Sequence, residues 1–120
     1  VETDKEVFAK MLYENKTLDT ISYTIYLKWF EELAEDFKVD HMVYLKTYPE
    51  TALERINKRN RPGETIELDY LKICHDRHED WLIKQDRVLY LNGESGMDNE
   101  SFEYKLMAIK AAIKGWQLKN

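Results

Sequence analysis

Residues 44–83 read YLKTYPETALERINKRNRPGETIELDYLKICHDRHEDWLI. The stretch opens on an aromatic and apolar run, meets Pro49, passes into helical spacing through Leu53 and Ile56, and breaks at Pro62-Gly63. The run HMVYLKTY at 41–48 has strand composition. A proline at the first position of a helix gives up an N–H that has no intrahelical partner anyway. A strand over 41–48 and a helix that starts at Pro49 and ends near Pro62-Gly63 are therefore predicted. From Leu68 a longer helix, 68–84, is signalled by Tyr70, Leu71, Cys74, His78, Trp81 and Leu82 on one side.

Working outward, RVLYLN at 87–92 is a second apolar strand. Gly93, Ser95 and Gly96 make a loop, and a last helix over 98–118 carries Phe102, Leu106, Ile109, Ile113 and Trp116 at helical steps. Upstream, residues 1–37 hold two helices. The first runs to residue 14 with Val7, Phe8, Met11 and Leu12 as its apolar face. Asp19 or Thr20 caps the second, which carries Tyr26, Trp29, Phe30, Leu33 and Phe37. The order α-α-β-α-α-β-α, with buried strands separated by helices, implies α/β architecture and a parallel sheet with helical crossovers. Two strands make a poor sheet alone, so further strand neighbours are expected.

The chain has 120 residues, one domain's worth or less, and 43% of them are hydrophobic, enough to build a core. Its formal charge of −5 argues against a nucleic-acid polymer as partner, because phosphate-tracking proteins spread excess Lys and Arg over a face. One cysteine, Cys74, excludes an intrachain disulfide and fits a reducing, intracellular setting, most simply the cytoplasm. No apolar run reaches the roughly 18 residues of a membrane span and no signal-peptide pattern opens the chain, so no membrane partner is expected.

Against that acidic background, Arg55, Lys58, Arg59 and Arg61 crowd into seven positions, followed at once by Glu64. On a helix, Arg55 and Arg59 share a face at i, i+4. Arginine presents a planar fork of donors to phosphate oxygens and keeps its charge at any working pH. Several converging on one point would neutralise a triphosphate during transfer. From charge pattern alone, a solvated helix end with an ordinary surface pair between Glu54 and Lys58 is the simpler alternative.

CHDRHED at 74–80 invites a metal reading through Cys74, His75, His78 and Glu79. The spacing is not that of a zinc-hydrolase helix, and no second ligand cluster lies elsewhere, so no metal ligands are assigned. Cys74 and His78 fall on the apolar stripe as core filler, and no third group is placed to make Cys74 a nucleophile. Asp4 stands one turn before Phe8. An aromatic plate and a carboxylate there would stack on and hydrogen-bond to a nucleobase, although a core Phe and a surface Asp is the plainer reading of the spacing.

Together these segments resemble the deoxynucleoside kinase family. The stretch 44–83 resembles that family's strand, P-E-x-x-x-x-R-I helix, arginine-rich lid and Y-L-x-x-x-H-x-x-H-E-x-W-L helix. VETDKEVFAKMLYENKTLDTISYTIYLKWF is similar to the segment after its Glu-Arg-Ser motif, and RVLYLNGE to its last strand and adenine loop. The resemblance implies a three-layer phosphate-loop kinase fold with sheet order 2-3-1-4-5, to which these residues supply strands 4 and 5 and a lid over about 55–66. It implies that ATP, with Mg²⁺, phosphorylates the 5′-hydroxyl of a deoxynucleoside.

By the same resemblance, Arg55, Arg59 and Arg61 meet ATP, with Arg59 and Arg61 acting catalytically on the transferring phosphoryl group. Glu64 reaches the 3′-hydroxyl region of the nucleoside, and Asn92, Gly93 and Glu94 border the adenine. Phe8 stacks on the base. Asp4 matches a position that is aspartate where deoxycytidine and purine deoxynucleosides are favoured and small where thymidine is accepted. A homodimer through the two opening helices is implied as well.

The quoted residues contain no G-x-x-x-x-G-K-[ST] motif, no Glu-Arg-Ser and no general-base carboxylate ahead of it, and the lid is one residue shorter between Arg61 and Glu64 than the family's commonest form. The expectation is a C-terminal portion of a single kinase domain, inactive by itself because nothing in it holds Mg²⁺ and the β-phosphate, and unstable or aggregating because its first strand has an open apolar edge. The alternative is a non-catalytic, kinase-derived module that binds a nucleotide or a protein through the basic segment.

Overall fold

A computed structural model describes residues 2–96 and 98–118. They fall into two compact units, one built from the residues up to Asp40 together with Ile66–Asp86, the other from His41–Thr65 and the residues from Arg87 onward.

The first unit is helical. A π-helical stretch, Asp4–Ala9, runs into α1 (Lys10–Glu14); α2 (Thr20–Ala34) continues into a 3₁₀ turn at Glu35–Phe37; and α4 (Leu68–Leu82) packs on the opening stretch. Asp19 is the cap of α2: Oδ1 accepts the N–H groups of Ile21 and Ser22 at 2.9 and 3.0 Å, satisfying two of the first-turn donors that a helix cannot pair internally. These bonds, led by the one from the Ser22 hydroxyl, hold the Asp19 carboxyl below its ordinary range.

The expected apolar face of the first helix is split by the packing. Val7 and Met11 are buried, whereas Phe8 and Leu12 stay exposed. The Met11 thioether meets the part-buried Cys74 thiol at 3.7 Å, and burial raises the thiol's pKa, which disfavours a nucleophilic thiolate. Glu14 and Arg77 form an ion pair, and Tyr13 stacks on Tyr23 at 4.4 Å. The aromatic stripe of α2 behaves differently. Trp29, Leu33 and Phe37 are more than half exposed and line an open apolar groove with Tyr26 and Phe30.

The second unit is the α/β one. Strands β1 (Met42–Lys46) and β2 (Val88–Asn92) pair in parallel, Met42 opposite Val88 through Lys46 opposite Asn92. Between them in sequence lies α3 (Pro49–Arg59), with Pro49 at its first turn as expected, and α5 (Asn99–Gln117) follows β2. Asp98 caps α5 by accepting the Ser101 N–H at 2.7 Å. Tyr44 and Tyr90, directly opposite in the register, meet edge to face at 5.7 Å. His41 stacks on Trp116 at 4.1 Å.

Leu91 is buried, but Val43 and Leu45, on alternate positions of β1, are about half exposed at 45% and 51%. With Leu91, Phe102, Leu106 and Ile109 they border an apolar cavity of about 270 Å³. Both strands are thus shorter than the 41–48 and 87–92 read from composition, and only part of the first is enclosed. Among the described residues the architecture is α/β, with a two-stranded parallel sheet and five α-helices, consistent with part of a phosphate-loop kinase fold. No helix among the described residues is long and apolar enough to cross a membrane.

Candidate functional site

The basic segment is shaped by three local devices. Helix α3 ends at Arg59 because Asn60 takes the left-handed conformation (φ 47°, ψ 52°) and its N–H closes on the Ile56 carbonyl at 3.0 Å. Asparagine is the residue that, after glycine, best tolerates this cap. Next, Arg61-Pro62-Gly63-Glu64 forms a turn closed by the Glu64 N–H on the Arg61 carbonyl at 3.2 Å. Proline in its second place and glycine at φ +79° in its third are the requirements of a type II turn. The helix therefore stops before the Pro62-Gly63 break, and the turn folds Glu64 back toward the helix end.

The third device is the contact that results. Arg59 Nη2 donates to both Glu64 carboxylate oxygens at 2.6 Å. Both contacts run through one nitrogen, so this is not the two-nitrogen fork of a bidentate pair. The Arg59 side chain is 49% exposed, and such a pair is worth about 1 kcal/mol or less. Arg55, one turn earlier, shares the helix face with Arg59 as expected, and its Nη2 reaches the Glu94 carbonyl at 3.3 Å. Arg61 is exposed on the turn. The structure thus brings Arg59 together with Glu64, and Arg55 together with the loop after β2.

In that loop the three predicted residues have different places. Asn92 is exposed, and its Oδ1 accepts the Glu94 N–H at 2.8 Å. Gly93 is buried, and its N–H extends the sheet ladder to the Lys46 carbonyl at 2.6 Å. A Cβ there would fall 2.5 Å from that same carbonyl oxygen, so glycine is required by close backbone approach. Glu94 turns its carboxylate onto the start of α3, where Oε1 accepts the Tyr48 N–H and Oε2 the Thr51 hydroxyl, both at 2.6 Å.

In the helical unit, Asp4 and Phe8 both lie on the π-helical stretch, a form that recurs at functional positions. The spacing predicted a shared direction, yet their recorded partners differ. Asp4 Oδ2 accepts the Tyr26 hydroxyl of α2 at 2.6 Å, while Phe8 stands edge-on to His78 of α4 at 6.1 Å. Burial, reinforced by the bond to Asp4, raises the Tyr26 pKa and keeps the phenol a donor. His78 itself contacts the Cys74 carbonyl at 2.7 Å within its helix.

Tyr26 was read only as part of the apolar stripe of α2, and Tyr48 and Thr51 were not read as site residues, because each meets its partner across 22 to 46 residues. One signal was available: Tyr48 offers no capping side chain ahead of Pro49, which leaves the start of α3 open to a partner from elsewhere. Among the described residues, no three or more His, Cys, Asp or Glu side chains are grouped so as to hold a metal ion.

The family model for deoxynucleoside kinase matches residues 1–114. The chain is 36% identical over 117 aligned positions to the mitochondrial deoxyguanosine kinase of Xenopus laevis, covering 84% of this chain and 44% of that protein. It is 36% identical over 131 positions to deoxycytidine kinase 2 of Gallus gallus, covering 94% and 49%. It is 37% identical over 87 positions to the mitochondrial thymidine kinase 2 of Homo sapiens, covering 70% and 33%. The chain spans less than half the length of each of these relatives. With nearly the whole chain matched by the family's model, the chain belongs to the deoxynucleoside kinase family.

Proposed function

We propose that the complete protein transfers the γ-phosphate of ATP to the 5′-hydroxyl of a deoxynucleoside, and that these residues supply its lid and part of its nucleoside site. The observation that carries this reading is the exit of α3. Arg55 and Arg59 share one helix face, and a type II turn holds Arg61 and Glu64 beside the helix end, in a chain of this family.

In the transfer, the 5′-oxygen forms a bond to the γ-phosphorus as the bond to the β-bridging oxygen breaks, and ADP leaves. The 5′-hydroxyl proton passes to a base that is not assigned among these residues. Charge spreads over the equatorial phosphoryl oxygens, where there is little covalent work for side chains to do. Arg59 leaves Glu64 for those oxygens and Arg61 closes from the turn, each supplying a permanent positive charge where negative charge grows. Glu64, released from Arg59, is then available to accept a sugar hydroxyl. Mg²⁺ accompanies ATP as part of the donor, and no step is assigned to it here.

Asp4 and Phe8 are proposed to read the base, Phe8 by stacking and Asp4 by accepting from an exocyclic amine or ring N–H. A carboxylate has about four acceptor positions, so the bond from Tyr26 orients Asp4 without exhausting it. The exposed stripe Trp29, Leu33 and Phe37 supports a homodimer through the opening helices. A reducing, intracellular compartment belongs to the same proposal; two of the relatives above are named as mitochondrial.

The test is ATP-dependent formation of deoxynucleoside 5′-monophosphate by the complete protein. Transfer is expected from it and not from these 120 residues alone; no transfer by the complete protein would favour a non-catalytic binding module. In the active protein, Asp4→Ala removes a charged acceptor worth about 1.5–3 kcal/mol. It should move the kcat/KM ratio between deoxycytidine and thymidine toward thymidine by about 10- to 100-fold. An unchanged ratio would take Asp4 out of base reading.

A further inference from the structure

Glu94 holds two places on α3 and the residue just before it at once, although it lies more than 30 residues downstream of the helix. Helix α3 begins without a side-chain cap of its own, since Tyr48 precedes it and its first residue, Pro49, has no N–H. Glu94 ties down this helix start from across the unit, at the residue before the helix and at a first-turn side chain. Its carboxylate takes the Tyr48 N–H and the Thr51 hydroxyl at 2.6 Å each, and its own carbonyl takes Arg55 Nη2 at 3.3 Å. Thr51 and Arg55 are one turn apart on α3, and Tyr48 is the residue just before it. The negative charge also sits at the helix end where the backbone dipole favours it.

The other side of Glu94 is held as firmly. The Asn92 side chain fixes its N–H at 2.8 Å, and Gly93 is drawn onto the Lys46 carbonyl at 2.6 Å, too close for any side chain. The loop after β2 is therefore clamped between the end of β1 and the first turn of α3.

We propose that Glu94 is a positioning residue that splints this loop to α3 and so fixes where Arg55 stands for the phosphate donor. Its carboxylate acts on the helix rather than on the nucleotide, and only the loop backbone borders the adenine. The inference rests on the proposed function in one respect: that Arg55 and the loop face ATP.

The experiment compares Glu94→Ala, Glu94→Gln, Thr51→Val and the Glu94→Ala/Thr51→Val double variant in the complete enzyme. For Glu94→Ala the KM for ATP should rise about fivefold or more while the KM for the deoxynucleoside stays within about twofold. Glutamine should recover most of the loss, because its carbonyl still accepts the Tyr48 N–H and the Thr51 hydroxyl can turn to accept from the amide. Thr51→Val should raise the KM for ATP in the same direction and add less than about twofold once Glu94 is alanine.

A role confined to stability would lower Tm and leave the KM for ATP alone, and that result overturns the proposal. So does additivity of the two single changes. Should Glu94→Ala not fold, Thr51→Val and Glu94→Gln carry the same readout, and an unmoved KM for ATP in Thr51→Val is again contrary. If Arg59→Ala impairs turnover while these variants do not alter the KM for ATP, the splint alone fails. If Arg59→Ala is silent as well, the donor-site reading beneath it fails too.

Discussion

Replacing Arg59 by alanine in the complete enzyme should lower kcat by about 100- to 1000-fold and leave the KM for the deoxynucleoside within about threefold. That loss corresponds to about 3–4 kcal/mol of transition-state stabilisation. A loss below the full range for a single catalytic arginine is expected if Arg55 and Arg61 share the charge as proposed. It far exceeds the structural effect of the same change. The bond to Glu64 is a half-exposed ion pair worth about 1 kcal/mol or less, so folding should hardly respond. Steady-state kinetics beside a thermal melt separates the two. A kcat near that of the parent enzyme would remove Arg59 from the transition state, and a collapse in Tm with normal kcat per folded molecule would make its role structural.

Gly93→Ala is the second change with a large expected effect, and it acts on the fold. The added Cβ meets the Lys46 carbonyl oxygen at 2.5 Å and the Lys46 carbonyl carbon at 2.9 Å, both backbone atoms that no rotamer change can move aside. Relief requires separating the ends of β1 and β2, where the Gly93 N–H makes its ladder bond. A loss of about 2–3 kcal/mol is expected, at the upper end of overpacking penalties. Gly63→Ala is the control. A Cβ there meets nothing within 4 Å, but the backbone is held at φ +79°, so about 1 kcal/mol is expected. Denaturant unfolding of the complete enzyme measures both; equal losses would show that close approach at Gly93 is not the deciding term.

The elements were legible where a local rule acts. Pro49 marked the start of α3, the three- and four-residue apolar steps found α2, α4 and α5, and Asp19 was one of two caps named for α2. Arg55 and Arg59 fell on one face because helical spacing puts them there. The π-helical form of Asp4–Ala9 was not legible, since an apolar row at positions 7, 8, 11 and 12 reads alike for an α-helix and a π-helix. Asn60 was passed over because asparagine in the left-handed conformation depends on the chain on both sides of it, and the visible Pro62-Gly63 pair drew the helix end past it.

The candidate site divides in the same way. Glu64 was named, but its bond to Arg59 follows from a turn geometry that becomes evident only when Pro62 and Gly63 are assigned places within it. The bonds from Tyr26 to Asp4 and from Glu94 to Tyr48 and Thr51 join distant parts of the chain, and no sequence period connects such residues. They are tertiary facts. Each adds to the reading of a named residue: Asp4 gains an orienting partner, and Glu94 gains bonds to the start of α3.

The central claim is that the exit of α3 meets the phosphates of ATP, and one structure tests it directly. The complete enzyme, bound to a deoxynucleoside and a non-transferable ATP analogue, should show Arg59 released from Glu64. Its guanidinium should then lie about 2.7–3.0 Å from a γ-phosphoryl oxygen. Arg59 still bonded to Glu64, with the phosphates bound elsewhere, would contradict the claim.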